Sequence, residues 1–227
     1  MRNLQITHLE QIDYRSALGL QHRLMEKRST GEIADQLLLL EHPHTFTLGR
    51  TGRLEHLRIS AEELSQSGIP LYQTRRGGNI TYHGPGQLVG YPIIDLNGCG
   101  RDIGRYLRGL EQVLIRSMAM FNLKGEQLRG LTGVWVDGKK IASIGIAVRH
   151  WITYHGFSLN IDPDLCFFDK IVPCGLRDRE VTSMRQLLGE GRADAEEVRW
   201  AVSKSFIEIF CSIGERPLAL EECVPGP

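Results

Sequence analysis

The stretch Gly133-Val-Trp-Val-Asp-Gly-Lys-Lys-Ile-Ala-Ser-Ile-Gly-Ile-Ala-Val148 decides the fold class. Runs of strand-forming residues at 133–136 and 139–148 flank Asp137-Gly138, a dipeptide that readily takes the positive φ angles of a type I′ turn. The reading is an antiparallel hairpin. Strand alternation then places Lys140, Ala142 and Ile144 on one face and Ile141, Ser143 and Gly145 on the other, provided no bulge intervenes. A lysine sharing a face with small and apolar residues has two readings. It is either partly desolvated, which lowers an amine pKa and suits it to proton transfer, or an edge-strand lysine that discourages aggregation.

Working outward, residues 151–161 continue as a further strand. Residues 103–121 carry Leu107, Leu110, Leu114 and Met118 at helical spacing and form the clearest helix. Upstream, 14–28 reads as an amphipathic helix, 35–41 as a buried strand, and 45–48 as a short strand ended by Gly49. Ser60-Ala-Glu-Glu63 has capping-box spacing for a short helix that Gly68 and Pro70 close. Strands are expected at 71–74 and 88–96, an irregular stretch at 162–180, and helices at 182–188 and 195–210. Hairpin-linked strands in groups, with helices between the groups, give an α+β fold with mainly antiparallel sheet.

The chain has 227 residues, 41% of them hydrophobic, which suffices for one domain with a sizeable core. Lys+Arg and Asp+Glu balance at 27 each, so no broad footprint for nucleic acid or anionic membrane is present. The first ten residues lack the apolar segment of a signal peptide, and the strongest apolar stretches, 37–40 and 141–148, fall far short of the roughly 20 residues of a membrane span. The five cysteines, Cys99, Cys166, Cys174, Cys211 and Cys223, are an odd number at wide spacing with no CxxC. This argues against a disulfide framework or structural zinc and fits a reducing cytoplasm.

Besides the strand that carries Lys140, two segments carry chemistry. Arg75-Arg-Gly-Gly-Asn-Ile-Thr-Tyr-His-Gly-Pro-Gly-Gln87 crowds four glycines, a proline, two arginines and a histidine into thirteen positions. Glycines let backbone N–H groups approach a ligand, and Arg76 is suited to holding a carboxylate or phosphate in a bidentate grip; a tight turn with surface arginines is the plainer alternative. Neither the P-loop nor the dinucleotide-binding glycine pattern occurs. Ile171-Val-Pro-Cys-Gly-Leu176 sets a thiol between a rigid entry and a flexible exit, where it can act as a nucleophile if a neighbouring base raises its thiolate fraction. The other cysteines read as inert packing residues. His42-Pro-His44, with His83, His150 and His155 in or beside other strands, invites a metal reading, but with no carboxylate or thiolate at ligand spacing, loop structure or substrate contact is the reading and no metal is expected.

Together these segments resemble the lipoyl(octanoyl) transferase family, octanoyl-carrier-protein:protein N-octanoyltransferases of lipoate biosynthesis. The most specific run is Arg76-Gly-Gly-Asn-Ile-Thr-Tyr-His-Gly-Pro-Gly-Gln-Leu-Val-Gly-Tyr91. Leu39-Leu-Glu-His-Pro43 and Thr47-Leu-Gly-Arg50 precede it in the family's order; Gly133-Val-Trp-Val136, Lys140-Ile-Ala-Ser-Ile-Gly145, His155-Gly-Phe-Ser-Leu-Asn160, Pro173-Cys-Gly175 and Val181-Thr-Ser183 follow.

The resemblance implies a single catalytic domain over 1–227 with the lipoate/biotin protein ligase fold, its mainly antiparallel sheet flanked by helices. It implies a Cys/Lys dyad, with Cys174 as acyl-thioester nucleophile and Lys140 as the base that lowers the pKa of that thiol. It assigns acyl-substrate contacts to Arg76, Gly77, Gly78, Asn79, Ile80, Thr81, Tyr82, His83, Ser143, Ile144, Gly145, Gly156, Phe157 and Ser158. No ATP and no metal is expected. The implied donor is octanoyl-acyl carrier protein, and the implied acceptors are lipoyl domains of 2-oxoacid dehydrogenase E2 subunits and glycine-cleavage H protein. An ATP-dependent ligase of the same fold and a non-catalytic acyl-binding member are the competing expectations.

Overall fold

The computed structural model describes residues 3–172 and 180–211. In chain order the elements are β1 (Leu4–Gln11), α1 (Tyr14–Ser29), β2 (Asp35–Glu41), β3 (Thr45–Leu48), α2 (Ala61–Ser67), β4 (Leu71–Gln73), β5 (Ile80–His83) and β6 (Gln87–Ile93). There follow α3 (Ile103–Ala119), β7 (Glu126–Leu128), β8 (Leu131–Val136), β9 (Lys139–Arg149), β10 (Ile152–Asn160), α4 (Cys166–Asp169), α5 (Met184–Leu188) and α6 (Ala195–Phe210).

Helix starts follow local chemistry. The carboxylates of Asp13, Asp102 and Asp194 accept backbone N–H groups at the first turns of α1, α3 and α6, and Ser60 and Glu63 complete a reciprocal capping box on α2. The β8–β9 turn takes φ 49° at Asp137 and 76° at Gly138, as the Asp-Gly pair requires.

A seven-stranded sheet runs in the order β1-β2-β6-β10-β9-β8-β7, and a three-stranded sheet in the order β4-β3-β5. Within the large sheet β1 and β2 are parallel and the other neighbours antiparallel; in the small one β3 pairs parallel with β4 and antiparallel with β5. The expected α+β architecture, mainly antiparallel, is what the chain adopts.

On one face of the large sheet, α3 and α6 bury Leu110, Leu114, Val202 and Phe206 against Val134, Ile144, Phe157 and Leu159. Each such side chain contributes roughly 1.5–3 kcal/mol of burial. On the other face α1 covers Leu38, Leu40, Val89 and Tyr91. The small sheet has its own core of Phe46, Leu48, Ile80 and Tyr82, closed by Phe168 and Ile171. Among the described residues no helix is long and apolar enough to cross a membrane.

Candidate active site

Between the large and small sheets lies a cavity of about 330 Å³. From β9 and β10 it is lined by the register pairs Ser143 with Ser158 and Gly145 with Gly156. The opposite wall is the glycine-rich segment entering β5. Its loop lies on β9 backbone to backbone: the Gly77 N–H donates to the Ile146 carbonyl at 2.8 Å, and a Cβ on Gly145 would sit 2.8 Å from the Gly77 carbonyl oxygen. Any side chain at 145 would lift the loop.

Arg76 fixes that loop from inside. Its Nε and Nη2 donate to the Thr47 hydroxyl, Nη2 also to the Thr47 and Asn79 carbonyls, and Nη1 to the Gly77 carbonyl, at 2.7–3.1 Å. The residue is buried. This corrects the expectation of a bidentate grip on a ligand anion, because the guanidinium is spent on ordering the wall.

Lys140 stands at one end of the cavity, 6% exposed, with Nζ 5.3 Å from the centre of the Trp135 ring. Its strand is not an edge, since β9 lies between β8 and β10. Simple alternation also fails here. Trp135 pairs with Lys140 but Val134 with Ala142, so one step on β8 answers two on β9 and Ile141 is a bulge. Lys140 therefore faces the cavity while Ile141 and Ala142 pack toward the helices, a correction to the expectation that Lys140 and Ala142 share a face.

Gly133, at φ 130°, makes room: a Cβ there would lie 2.8 Å from Lys140 Cε and 2.6 Å from the Ala142 carbonyl oxygen. Its N–H donates to Glu111 Oε1 at 3.1 Å, a buried carboxylate on α3 whose pKa burial raises. The Lys140 backbone is pinned on both sides, its N–H donating to the Glu180 carbonyl and its carbonyl accepting from Thr182 N–H, each at 2.9 Å.

A family model described as the lipoyl protein ligase A/B catalytic domain matches residues 13–207. The chain belongs to that family. Within the lipoyl ligase A/B family it is 49% identical to an octanoyltransferase of Solibacter usitatus over 210 residues, 92% of this chain and 94% of the relative. Among solved structures, a putative lipoate protein ligase from T. acidophilum with bound lipoic acid superposes with TM-score 0.71 at 18% identity, covering 90% of this chain and 85% of that one. The biotin protein ligase from Aquifex aeolicus in complex with biotin and ATP gives TM-score 0.58 at 15% identity, covering 93% and 72%. The lipoate and biotin ligase structures share the fold.

Of the residues the family resemblance points to, Arg76, Gly77, Gly78, Asn79, Ile80, Thr81, His83, Lys140, Ser143, Ile144, Gly145, Gly156, Phe157 and Ser158 line the cavity. Tyr82 does not. Alternation along β5 turns its ring into the small-sheet core, stacked 4.8 Å from Phe167, with its hydroxyl on His44 Nδ1 at 2.7 Å. Cys174 lies outside the described residues. Val172, two positions before it, donates its N–H to the His56 carbonyl at 2.8 Å, and Glu180, six positions after it, is the residue bonded to Lys140.

Tyr14, Tyr91 and Trp135 also line the cavity and were not singled out from sequence; His155, weighed there only among the histidines, lines it too. Burial pushes the Tyr14 phenol up to about 12, lowers His42 to about 4, and, with the Arg76 charge assisting, lowers His155 to about 3. His83 is driven well below its usual value by burial and the neighbouring His42, and its Nδ1 pairs with Gln87 at 2.7 Å. These imidazoles are neutral at pH 7. The His42 ring nitrogens are taken by the Ile12 carbonyl and the Tyr91 hydroxyl, and among the described residues no group of three or more potential ligands converges for a metal.

Proposed function

We infer that this protein is an octanoyltransferase that moves an octanoyl group from acyl carrier protein, through a thioester on Cys174, to a lysine of a lipoyl domain. The observation that carries the reading is a buried lysine on the wall of a cavity between the two sheets, its backbone tied to the chain just beyond Cys174. The near-half identity to an octanoyltransferase along almost the whole length supplies the acyl group. Glycine and serine on β9 and β10 leave room for an alkyl chain, and at about 0.8 kcal/mol per buried methylene an eight-carbon chain gains several kcal/mol.

In the first half-reaction Lys140 takes the Cys174 proton and the sulfur attacks the thioester carbonyl. The new C–S bond to Cys174 forms, the carrier's C–S bond breaks, and the departing phosphopantetheine sulfur takes the proton from Lys140. In the second, the neutral amine of the acceptor lysine attacks the acyl-enzyme, the Cys174 sulfur leaves, and the amine's excess proton passes to Lys140. Thioester exchange is near balance and amide formation is downhill, so no ATP is needed, and the Cys174 and Lys140 side chains carry the chemistry without a metal in this reading. The whole chain acts as one catalytic domain, and the reaction belongs in the cytoplasm, where the thiol stays reduced.

Intact-mass measurement after mixing with octanoyl-acyl carrier protein tests this. An octanoyl adduct is expected on the wild type and not on Cys174→Ala. Lys140→Ala is expected to acylate at least a hundredfold more slowly, in the general acid–base range, with an altered pH–rate profile and an intact fold. Efficient modification of a lipoyl domain from ATP and free octanoate, with none from the carrier thioester, would instead make the protein a ligase.

A further inference from the structure

We propose that Glu111 on α3 is a positioning residue for Lys140: its carboxylate anchors the part of β8 past which the lysine stem runs, and it steadies the ammonium that each half-reaction forms. The proposal rests on the acyl-transfer reading of Lys140. Glu111 lies four residues beyond Leu107, and residues so spaced share a helix face. Leu107 lines the cavity, so this face of α3 is turned toward it. Glu111 is 8% exposed, and a carboxylate so placed is seldom found without partners.

The partner in contact is backbone. Glu111 Oε1 accepts the Gly133 N–H at 3.1 Å. Gly133 is also the point that Lys140 passes, since a Cβ built there would stand 2.8 Å from Lys140 Cε and 3.4 Å from Nζ. Carboxylate, glycine and ammonium thus follow one another, and bond lengths place Oε1 within about 10 Å of Nζ.

Charge agrees with placement. Burial pushes the Glu111 carboxyl up, and the Gly133 N–H, the Arg108 charge on the same helix and the Lys140 charge oppose that rise. Coulomb attraction is mutual, so the carboxylate favours the ammonium in turn. Neither β8 nor the Gly156–Leu159 part of β10, paired with residues 142–145, carries a titratable side chain. On β7, Glu126 pairs across from Trp135 and is exposed. The Glu180 carboxylate pairs with Lys139; on α6, Glu208 pairs with Arg116, and Arg199 with Glu41 and Glu196.

When Lys140 takes the Cys174 proton, positive charge appears on a side chain that water barely reaches. The Glu111 anion offsets that cost. Without it the lysine gives up its proton more readily, and less of it is held for the departing sulfur.

Two titrations on the full chain test this. In Cys174→Ala, acetylation of Lys140 by acetic anhydride, read by peptide mass across pH, follows the amine directly. With Cys174 present, acylation by octanoyl-acyl carrier protein has an alkaline limb where Lys140 lacks the proton that the leaving sulfur takes. Glu111→Gln keeps an oxygen for the Gly133 N–H and deletes the charge; Glu111→Met serves if that variant does not fold. The acetylation midpoint and the alkaline limb are both expected to fall by about one pH unit, the effect of a charge within about 10 Å at an effective dielectric constant near 20. A midpoint that stays put in a folded variant would overturn the proposal, because a carboxylate that only braces the fold changes the rate alike at every pH. A wild type that forms no Cys174 adduct defeats the acyl-enzyme reading instead, and the acetylation midpoint still decides for or against Glu111.

Discussion

On the α3/α6 side of the seven-stranded sheet, Val134, Ile141, Ala142 and Leu159 pack into a core in which each is less than a tenth exposed. On the other side, neighbouring residues of the same strands, Ser143, Gly145, Gly156 and Ser158, border a cavity. One backbone register supports both. The contrast lies in side-chain volume: larger apolar residues fill the space beside the helices, whereas glycines and serines leave it open opposite the small sheet. Stability and chemistry are thereby assigned to opposite faces of the same strands.

That assignment is open to attack from each side. Leu159→Ala, a fully buried position on the helix face, is expected to lose roughly 2–5 kcal/mol of unfolding free energy in urea titrations while acylation per folded molecule is retained. A parallel loss of specific activity would mean the faces are coupled.

Acid should act on the cavity side. His42 and His155 have folded pKa values of about 4 and about 3, below the unfolded value near 6.5. Unfolded chains therefore bind more protons in this window; the stabilisation is complete above pH 6.5 and drains away as pH falls toward 4 and then 3. The loss is on the order of a few kcal/mol. Urea midpoints that stay level from pH 7 to pH 5 would show that these rings are not held neutral.

Gly145→Val should leave the helix-side core intact but displace the Gly77 loop. Acyl-enzyme formation is expected to fall on the order of a hundredfold, the penalty for misplacing a bound group by about 1 Å. A melting temperature that collapses with the activity would erase the distinction between the faces.

The helix-side architecture was the more legible from sequence. Long periodic segments announce themselves, so residues 35–41 and 195–210 were read with the observed boundaries. β1 escaped because Gln5, Thr7, His8 and Glu10 interrupt any apolar run and its partner β2 is parallel, with no turn to signal the pairing. β5 hid inside a segment whose glycines and proline look like loop. The bulge at Ile141 was invisible because pairing register is set by β8, not by the sequence of β9.

The site divided in the same way. A dense motif exposed one wall, but Tyr14, Tyr91 and His155 come singly from a helix and two strands, and only the folded chain brings them together. Tyr82 illustrates the converse, a residue inside the densest motif whose strand parity sends it to a different core. Arg76 was noticed for its charge, and the fold uses it for its geometry.

Arg76 carries a consequence for what the cavity wall tolerates. The hydrogen bonds described for its guanidinium end on the Thr47 hydroxyl and on three backbone carbonyls. A planar fork of donors meets such a fixed set of oxygens, whereas a lysine ammonium is a point charge on a flexible stem and does not reproduce it. Replacement by lysine would thus keep the charge and lose the shape of the wall.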